Sequence, residues 1–323
     1  MTKPLLEVEH LKTYFPIRSG FWQNVTGYVK AVDDISFRIY EGETFGIVGE
    51  SGCGKSTAGR SLLRLIEPTE GKIVFDGNEV TNATNLQLRA MRRHMQIVFQ
   101  DPFASLNPRH SVRRILEEPY IVHGMASGKE LLERVVELMN VVGLHSAQLD
   151  RYPHQFSGGQ RQRISIARAL ALNPKLIVAD EPVSALDVSI QSQILNLMQQ
   201  LQQRLGLTYI FISHDLSVIK HFCNRVAVMY LGRIVELADK SSLYREPKHP
   251  YTKALLSAVP VPDPFIRKER IILQGDVPSP SNAPQGCAFH TRCPAAMERC
   301  KQERPILSTV ADGHQVACHL YPA

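Results

Sequence analysis

The sequence predicts an α/β fold built on a largely parallel sheet, followed by a Pro-rich appendage. Three observations carry that reading. Strand-like and helix-like segments alternate through residues 1–245, the pattern of a sheet covered by helices. A short apolar run, Thr44-Phe-Gly-Ile-Val48, enters the glycine-rich turn Gly49-Glu-Ser-Gly-Cys-Gly-Lys55-Ser56-Thr57 and then a helical pattern. A second apolar run, Leu176-Ile-Val-Ala179, delivers two carboxylates, Asp180 and Glu181, to the end of a buried strand.

The elements follow in order. After the strand 44–48 and its turn, a helix is expected over Lys55–Ile66, and a second over Gln160–Leu172 behind Ser157-Gly-Gly. Residues 176–179 form a buried strand. Ile190, Ile194, Leu197, Leu201 and Leu205 then recur at helical spacing, so an amphipathic helix packs on the sheet there. Tyr209–Ile212 reads as a third buried strand. Beyond residue 246, Pro247, Pro250, Pro260, Pro262, Pro264, Pro278, Pro280 and Pro284 interrupt a segment with few apolar periods. The chain is therefore divided into an α/β domain at 1–245 and an extension at 246–323. Internal repeats of solenoid period are absent from the sequence.

Composition narrows the class. Hydrophobic residues make up 44% and charged residues 21% of 323, enough for a sizeable core, which excludes global disorder. No apolar run approaches the length of a bilayer span, and the opening residues lack the apolar core of a signal peptide. A cytosolic chain is expected, unless a partner carries it to a membrane. The 37 Lys and Arg exceed the 31 Asp and Glu, giving +6. Such a balance suits nucleic acid, an anionic membrane face or a polyphosphate. The clusters Arg89, Arg92, Arg93, His94 and Arg109, His110, Arg113, Arg114 read as solvated helix faces. Aromatics do not interleave with them, which argues against nucleic acid.

The turn at 49–57 fits the G-x-x-x-x-G-K-S/T phosphate loop in its strand–turn–helix context. Gly49, Gly52 and Gly54 let the backbone wrap closely, so that the loop's N–H groups, those of Ser51 and Cys53 among them, and a helix N-terminus face phosphates. Lys55 should reach the β- and γ-phosphates, Ser56 should ligate Mg²⁺, and Thr57 continues the motif. Asp180 would hold Mg²⁺ through water, and Glu181 would act as general base toward an attacking water. Ser157, Gly158, Gly159 and Gln160 precede a helix and offer a second N-terminus suited to an anion. One chain thus has two phosphate-attracting loops and only one lysine-bearing one. Two chains sharing two nucleotides explain this economically.

Six cysteines are unevenly spread. Cys53 and Cys223 stand alone, whereas Cys287, Cys293, Cys300 and Cys318 crowd near the C-terminus. Their spacings, C-x5-C, C-x6-C and C-x17-C, differ from the paired C-x2-C knuckles of structural zinc sites. A metal centre ordering the tail is expected. Zinc stays open on spacing alone, and two disulfides are disfavoured in a reducing compartment.

The phosphate loop, Gln100, Ser157-Gly-Gly-Gln160, Asp180-Glu181, Ser184-Ala-Leu-Asp187 and His214 occur in the order of an ABC transporter ATPase, and residues 5–245 resemble that family. The resemblance implies a P-loop NTPase cassette: a RecA-like core sheet, a helical signature subdomain and a small antiparallel β part. It implies that ATP and Mg²⁺ bind, and that Gln100 contacts Mg²⁺ and the attacking water. By the same resemblance Ser157, Gly158, Gly159 and Gln160 serve the γ-phosphate of the opposite chain's ATP. Asp187 would sit at the dimer interface and His214 at the γ-phosphate. Adenine would stack on Phe15, with Tyr14 second.

Two further stretches narrow the branch. Val98-Phe-Gln-Asp-Pro-Phe-Ala-Ser-Leu-Asn-Pro-Arg109 and the tail, with His249–Pro260, Pro278-Ser-Pro and Gly286–Cys293, resemble dipeptide and oligopeptide importer ATPases, most of all their F-type subunit. That likeness implies a [4Fe-4S] cluster on the four C-terminal cysteines. It also implies a second homologous ATPase as heterodimer partner, two transmembrane permeases and a periplasmic peptide-binding protein. The location would be the cytoplasmic face of the bacterial inner membrane, with residues 100–123 toward the permease. Competing readings are a soluble ABC ATPase of DNA repair or translation, and an importer ATPase for nickel, glutathione or oligosaccharide. A purely nucleotide-binding regulator is disfavoured by the presence of both Glu181 and His214.

Overall fold

The computed structural model describes residues 3–21, 23–259 and 269–321. The chain divides into two compact units, one of Met1–Ile39, Thr44–Thr81 and Ser213–Ala323, the other of Tyr40–Glu43 and Asn82–Ile212.

The first unit holds an antiparallel four-stranded sheet in the order Asn24–Tyr40, Pro4–Ser19, Glu70–Phe75, Asn78–Glu79. Leu6 lies opposite Phe75 and Val8 opposite Ile73, and all four are buried, so the pairing register matches the apolar face. Residues 16–19 and 24–30 are the facing ends of the two long strands.

A second set of strands in this unit runs Ser308–Ala311, His314–Val316, Arg233–Asp239, Arg225–Tyr230, Thr44–Val48. Only the last pair is parallel, with Ile47 opposite Ala227; the others are antiparallel. Antiparallel strands are thus added here beside the parallel pair that follows the expected pattern. The cause is local: Leu231 and Gly232 both have positive φ (44° and 78°), the geometry of a two-residue hairpin turn that reverses the chain at once.

The second unit carries the parallel strands Met95–Val98, Leu176–Asp180 and Thr208–Ser213, in that order. Leu176–Asp180 is buried throughout, as parallel strands covered on both faces must be. Helix Gly158–Leu170 starts two residues earlier than periodicity suggested, because Ser157 caps it. Helix Val188–Leu205 buries Ile194, Leu197, Met198 and Leu201. Leu205, expected in the core, is 48% exposed, since Gly206 ends the helix there in the left-handed region.

Within the first unit an aromatic group joins the extension to strand Arg225–Tyr230. Tyr230 meets Tyr251 and Phe289 edge-on, at centroid separations of 4.8 and 5.2 Å, and all three are almost fully buried. Beneath it, buried Glu236 accepts hydrogen bonds from the backbone N–H groups of Lys248 and His249. The Nε2 of His314 lies 2.7 Å from the same carboxylate.

His249 gives this region a pH dependence. Burial, against the pull of Glu236, lowers its imidazole from 6.5 to about 4. Between those values the unfolded chain binds the proton more readily. The contribution is thus whole above pH 6.5 and is lost as pH falls toward 4, amounting to about 2 kcal/mol at pH 5. Denaturant unfolding at pH 7.5 and pH 5 should show that loss in the parent. It should be largely absent in His249→Asn, where a neutral side chain still caps the helix beginning at Pro250. An equal loss in both proteins would contradict this.

Candidate functional site

In the first unit, strand Thr44–Val48 runs into the glycine-rich loop and helix Lys55–Leu62 leaves it. Two of its glycines are enforced by close approach. A Cβ on Gly49 would stand 2.2 Å from the Met229 carbonyl, and one on Gly54 would stand 1.9 Å from that of Ala31. Ala58 N–H makes its helical bond to Gly54, leaving the N–H groups of Lys55, Ser56 and Thr57 at the open end of the helix. Lys55 is 4% exposed, and its ammonium donates to the carbonyls of Gly49 (2.8 Å) and Glu50 (3.0 Å). Its next neighbour is the Cys53 sulfur at 3.9 Å, a weak acceptor that a phosphate oxygen would outcompete. Burial pushes the Cys53 thiol up, so this residue packs as a neutral group.

The aromatic candidates separate. The Tyr14 hydroxyl donates to Asp33, and burial together with that bond pushes the Tyr14 phenol well above its ordinary value. Asp33 also accepts from Arg233 at 2.9 Å. Burial alone would raise its carboxyl, and Tyr14 with Arg233 and Arg304 reverses this and holds it low. Tyr14 is thus tied to the wall, whereas Phe15 is 40% exposed on the same strand. His214, also exposed, follows strand Thr208–Ser213.

In the second unit, register brings two predicted residues together. Val98 lies opposite Ala179 on neighbouring parallel strands. Gln100 and Glu181, each two residues further on, meet at 2.9 Å, with Gln100 Nε2 donating to Glu181 Oε2. Glu181 sits at φ 46°, an uncommon setting for a side chain of its size, and its N–H is fixed on the Ile212 carbonyl. Asp180, the last residue of its strand, is 1% exposed.

Ser157 and Gln160 form a reciprocal capping box at the start of helix Gly158–Leu170. The two signature glycines have a packing reason that the sequence did not disclose. A Cβ on Gly159 would lie 2.6 Å from Ile190, and one on Gly158 would lie 3.2 Å from Leu186. These neighbours flank Asp187, which begins helix Val188–Leu205 and is itself exposed.

In the extension, Cys287, Cys293, Cys300 and Cys318 are free thiols, with Cys300 buried and the others half-buried. Burial, with the neighbouring thiols adding to it, pushes Cys287 to about 11. Among the described residues, no three His, Cys, Asp or Glu side chains converge so as to hold a metal ion.

The residues that sequence reasoning missed come from this same extension. Arg292 grips Glu50 of the phosphate loop, and Tyr251 accepts the Glu50 N–H at 2.8 Å. Nothing in local periodicity reports contacts between positions 242 residues apart.

Comparison with known proteins converges on one group. A family model described as ABC transporter matches residues 32–184, and one described as oligopeptide/dipeptide transporter, C-terminal region, matches residues 235–300. The chain is 58% identical over 320 residues to the oligopeptide transport ATP-binding protein AppF of Bacillus subtilis (strain 168), covering 98% of this chain and 97% of that protein. It is 54% identical over 321 residues to the putative oligopeptide transport ATP-binding protein YkfD of the same organism, covering 98% and 96%. Among solved structures, the dimeric post-hydrolysis state of the ATP-binding cassette MJ0796 bound to ADP and Pi is similar with a TM-score of 0.65 and 30% identity. That likeness covers 73% of this chain and 98% of the cassette.

Proposed function

The chain belongs to the ABC transporter family, in the branch with the oligopeptide/dipeptide C-terminal region, and we propose that it hydrolyses ATP to power bacterial uptake of short peptides. Its fold is that of an ABC ATPase cassette. The observation that carries the hydrolytic part is the Gln100–Glu181 contact beside buried Asp180, which holds a carboxylate at a strand end with an amide to orient water.

The roles follow from the chemistry of each group. Lys55 and the N–H groups at the head of its helix bind the β- and γ-phosphates. Ser56, Gln100 and, through water, Asp180 are suited to Mg²⁺, which neutralises charge on the phosphates when bound. Glu181 accepts a proton from the attacking water, Gln100 orients that water, and His214 attends the γ-phosphate. Phe15 offers its ring to adenine. Ser157 to Gln160, with Asp187, serve the nucleotide on a second, homologous ATPase subunit, so the working unit is a heterodimer.

Residues 1–245 act as the cassette and 246–323 as the importer-specific extension. Two permeases and a periplasmic peptide-binding protein complete the system, with this chain at the cytoplasmic membrane face. Among the described residues no helix is long and apolar enough to cross a membrane. Exposed Phe103 and Ile121 lie within the stretch 100–123 assigned to permease contact. A tagged copy should bring both permeases out of detergent-solubilised membranes. Recovery with ribosomes or DNA instead would overturn the transport reading.

The cysteines are assigned to a [4Fe-4S] cluster on their number and spacing, in a tail similar to the oligopeptide/dipeptide transporter C-terminal region. It would order the tail rather than enter hydrolysis. Anaerobically purified protein should be brown, with broad absorption near ~400 nm and about four irons per chain. Colourless protein holding one zinc would replace the cluster by zinc.

A further inference from the structure

We propose that Arg292, far outside the phosphate loop in sequence, is a positioning residue for ATP binding that holds the loop in shape and cancels the charge of Glu50. The inference rests on the ATP-site reading above. Glu50 is the second residue of the glycine-rich loop, so its carboxylate stands where N–H groups gather to attract phosphate. Unpaired, it would oppose the anion the loop is built to receive. Arg292 answers it with a two-pronged grip: Nη1 donates to Oε2 at 2.7 Å and Nη2 to Oε1 at 3.1 Å. Such bidentate pairs fix geometry as well as charge. The Arg292 side chain is 8% exposed and that of Glu50 27%, so solvent screens the pair weakly.

The backbone of Glu50 is held as firmly. Its N–H donates to the hydroxyl of fully buried Tyr251, and its carbonyl accepts from the Lys55 ammonium at 3.0 Å. A continuous path therefore leads from the extension through Glu50 to the lysine that meets the phosphates. Arg292 is aimed by its own turn, since its N–H donates to the Phe289 carbonyl, and Phe289 is locked between Tyr230 and Tyr251. The guanidinium, charged at any ordinary pH, donates both bonds and Glu50 accepts them.

The test is titration of the full-length chain, with Mg²⁺, by a fluorescent ATP analogue. Arg292→Ala should weaken binding about tenfold, the effect of an unneutralised charge several ångströms from the phosphates. Glu50→Gln combined with Arg292→Ala should return affinity to within about threefold of the parent, because the two changes are coupled. A merely structural arginine gives the opposite pattern, a double variant no better than the single one, and that result would overturn the proposal. Lys55→Ala, run in parallel, should abolish binding. If it does while Arg292→Ala binds like the parent, the role of Arg292 alone falls. If Lys55→Ala also binds like the parent, the ATP-site reading falls and takes this proposal with it.

Discussion

Replacing Glu181 by glutamine should cut steady-state ATP hydrolysis in the assembled transporter by roughly 10²–10⁴-fold, while ATP still binds. The amide matches the carboxylate in size and can still accept the 2.9 Å hydrogen bond from Gln100, so the local structure survives. Only the capacity to take a proton from water is lost. The backbone favours this clean outcome: Glu181 is held at φ 46° by its N–H bond to Ile212, so the substituted side chain leaves along the same direction. Single-turnover phosphate release and equilibrium ATP binding, measured on one preparation, separate the two effects. Hydrolysis near the parent rate would remove Glu181 from the role of base.

The second large effect divides the two anion-seeking loops between different nucleotides. Lys55→Ala should abolish ATP binding at the chain's own loop, because the buried ammonium knits together the carbonyls of Gly49 and Glu50 and is the group proposed to meet phosphate. Ser157→Arg should leave that binding intact and silence the nucleotide on the partner's loop. The change removes a capping box, typically worth ~1 kcal/mol, and puts a cation and its bulk at the helix N-terminus. Labelling each site of the proposed heterodimer with a photoreactive ATP reads the two separately. Loss of the same site in both variants would contradict shared sites.

Much of the site was legible because its chemistry is written in local patterns. A loop of fixed glycine spacing, a strand ending in two carboxylates and a serine cap each depend on neighbours within a few residues. Strand Thr44–Val48 matches the expected range for that reason. What escaped depends on long-range geometry or on turn conformation. Leu231-Gly232 does not resemble the Asn-Gly pairs that usually mark a tight hairpin, yet both residues adopt positive φ and reverse the sheet's direction. The signature glycines read as an approach to phosphate, and their packing on Leu186 and Ile190 needed coordinates to be seen. Arg292 belongs to no local pattern, and only the fold sets it against Glu50.

Coupling of hydrolysis to peptide is tested most directly by phosphate release from the complete transporter in vesicles. The chain, its partner ATPase and both permeases are reconstituted, and binding protein is added with or without a short peptide. Peptide-loaded binding protein should raise the rate well above the basal level, and Glu181→Gln in this chain should remove most of that increase. A rate indifferent to peptide and permeases, or undiminished in the variant, would contradict an ATPase that powers peptide import.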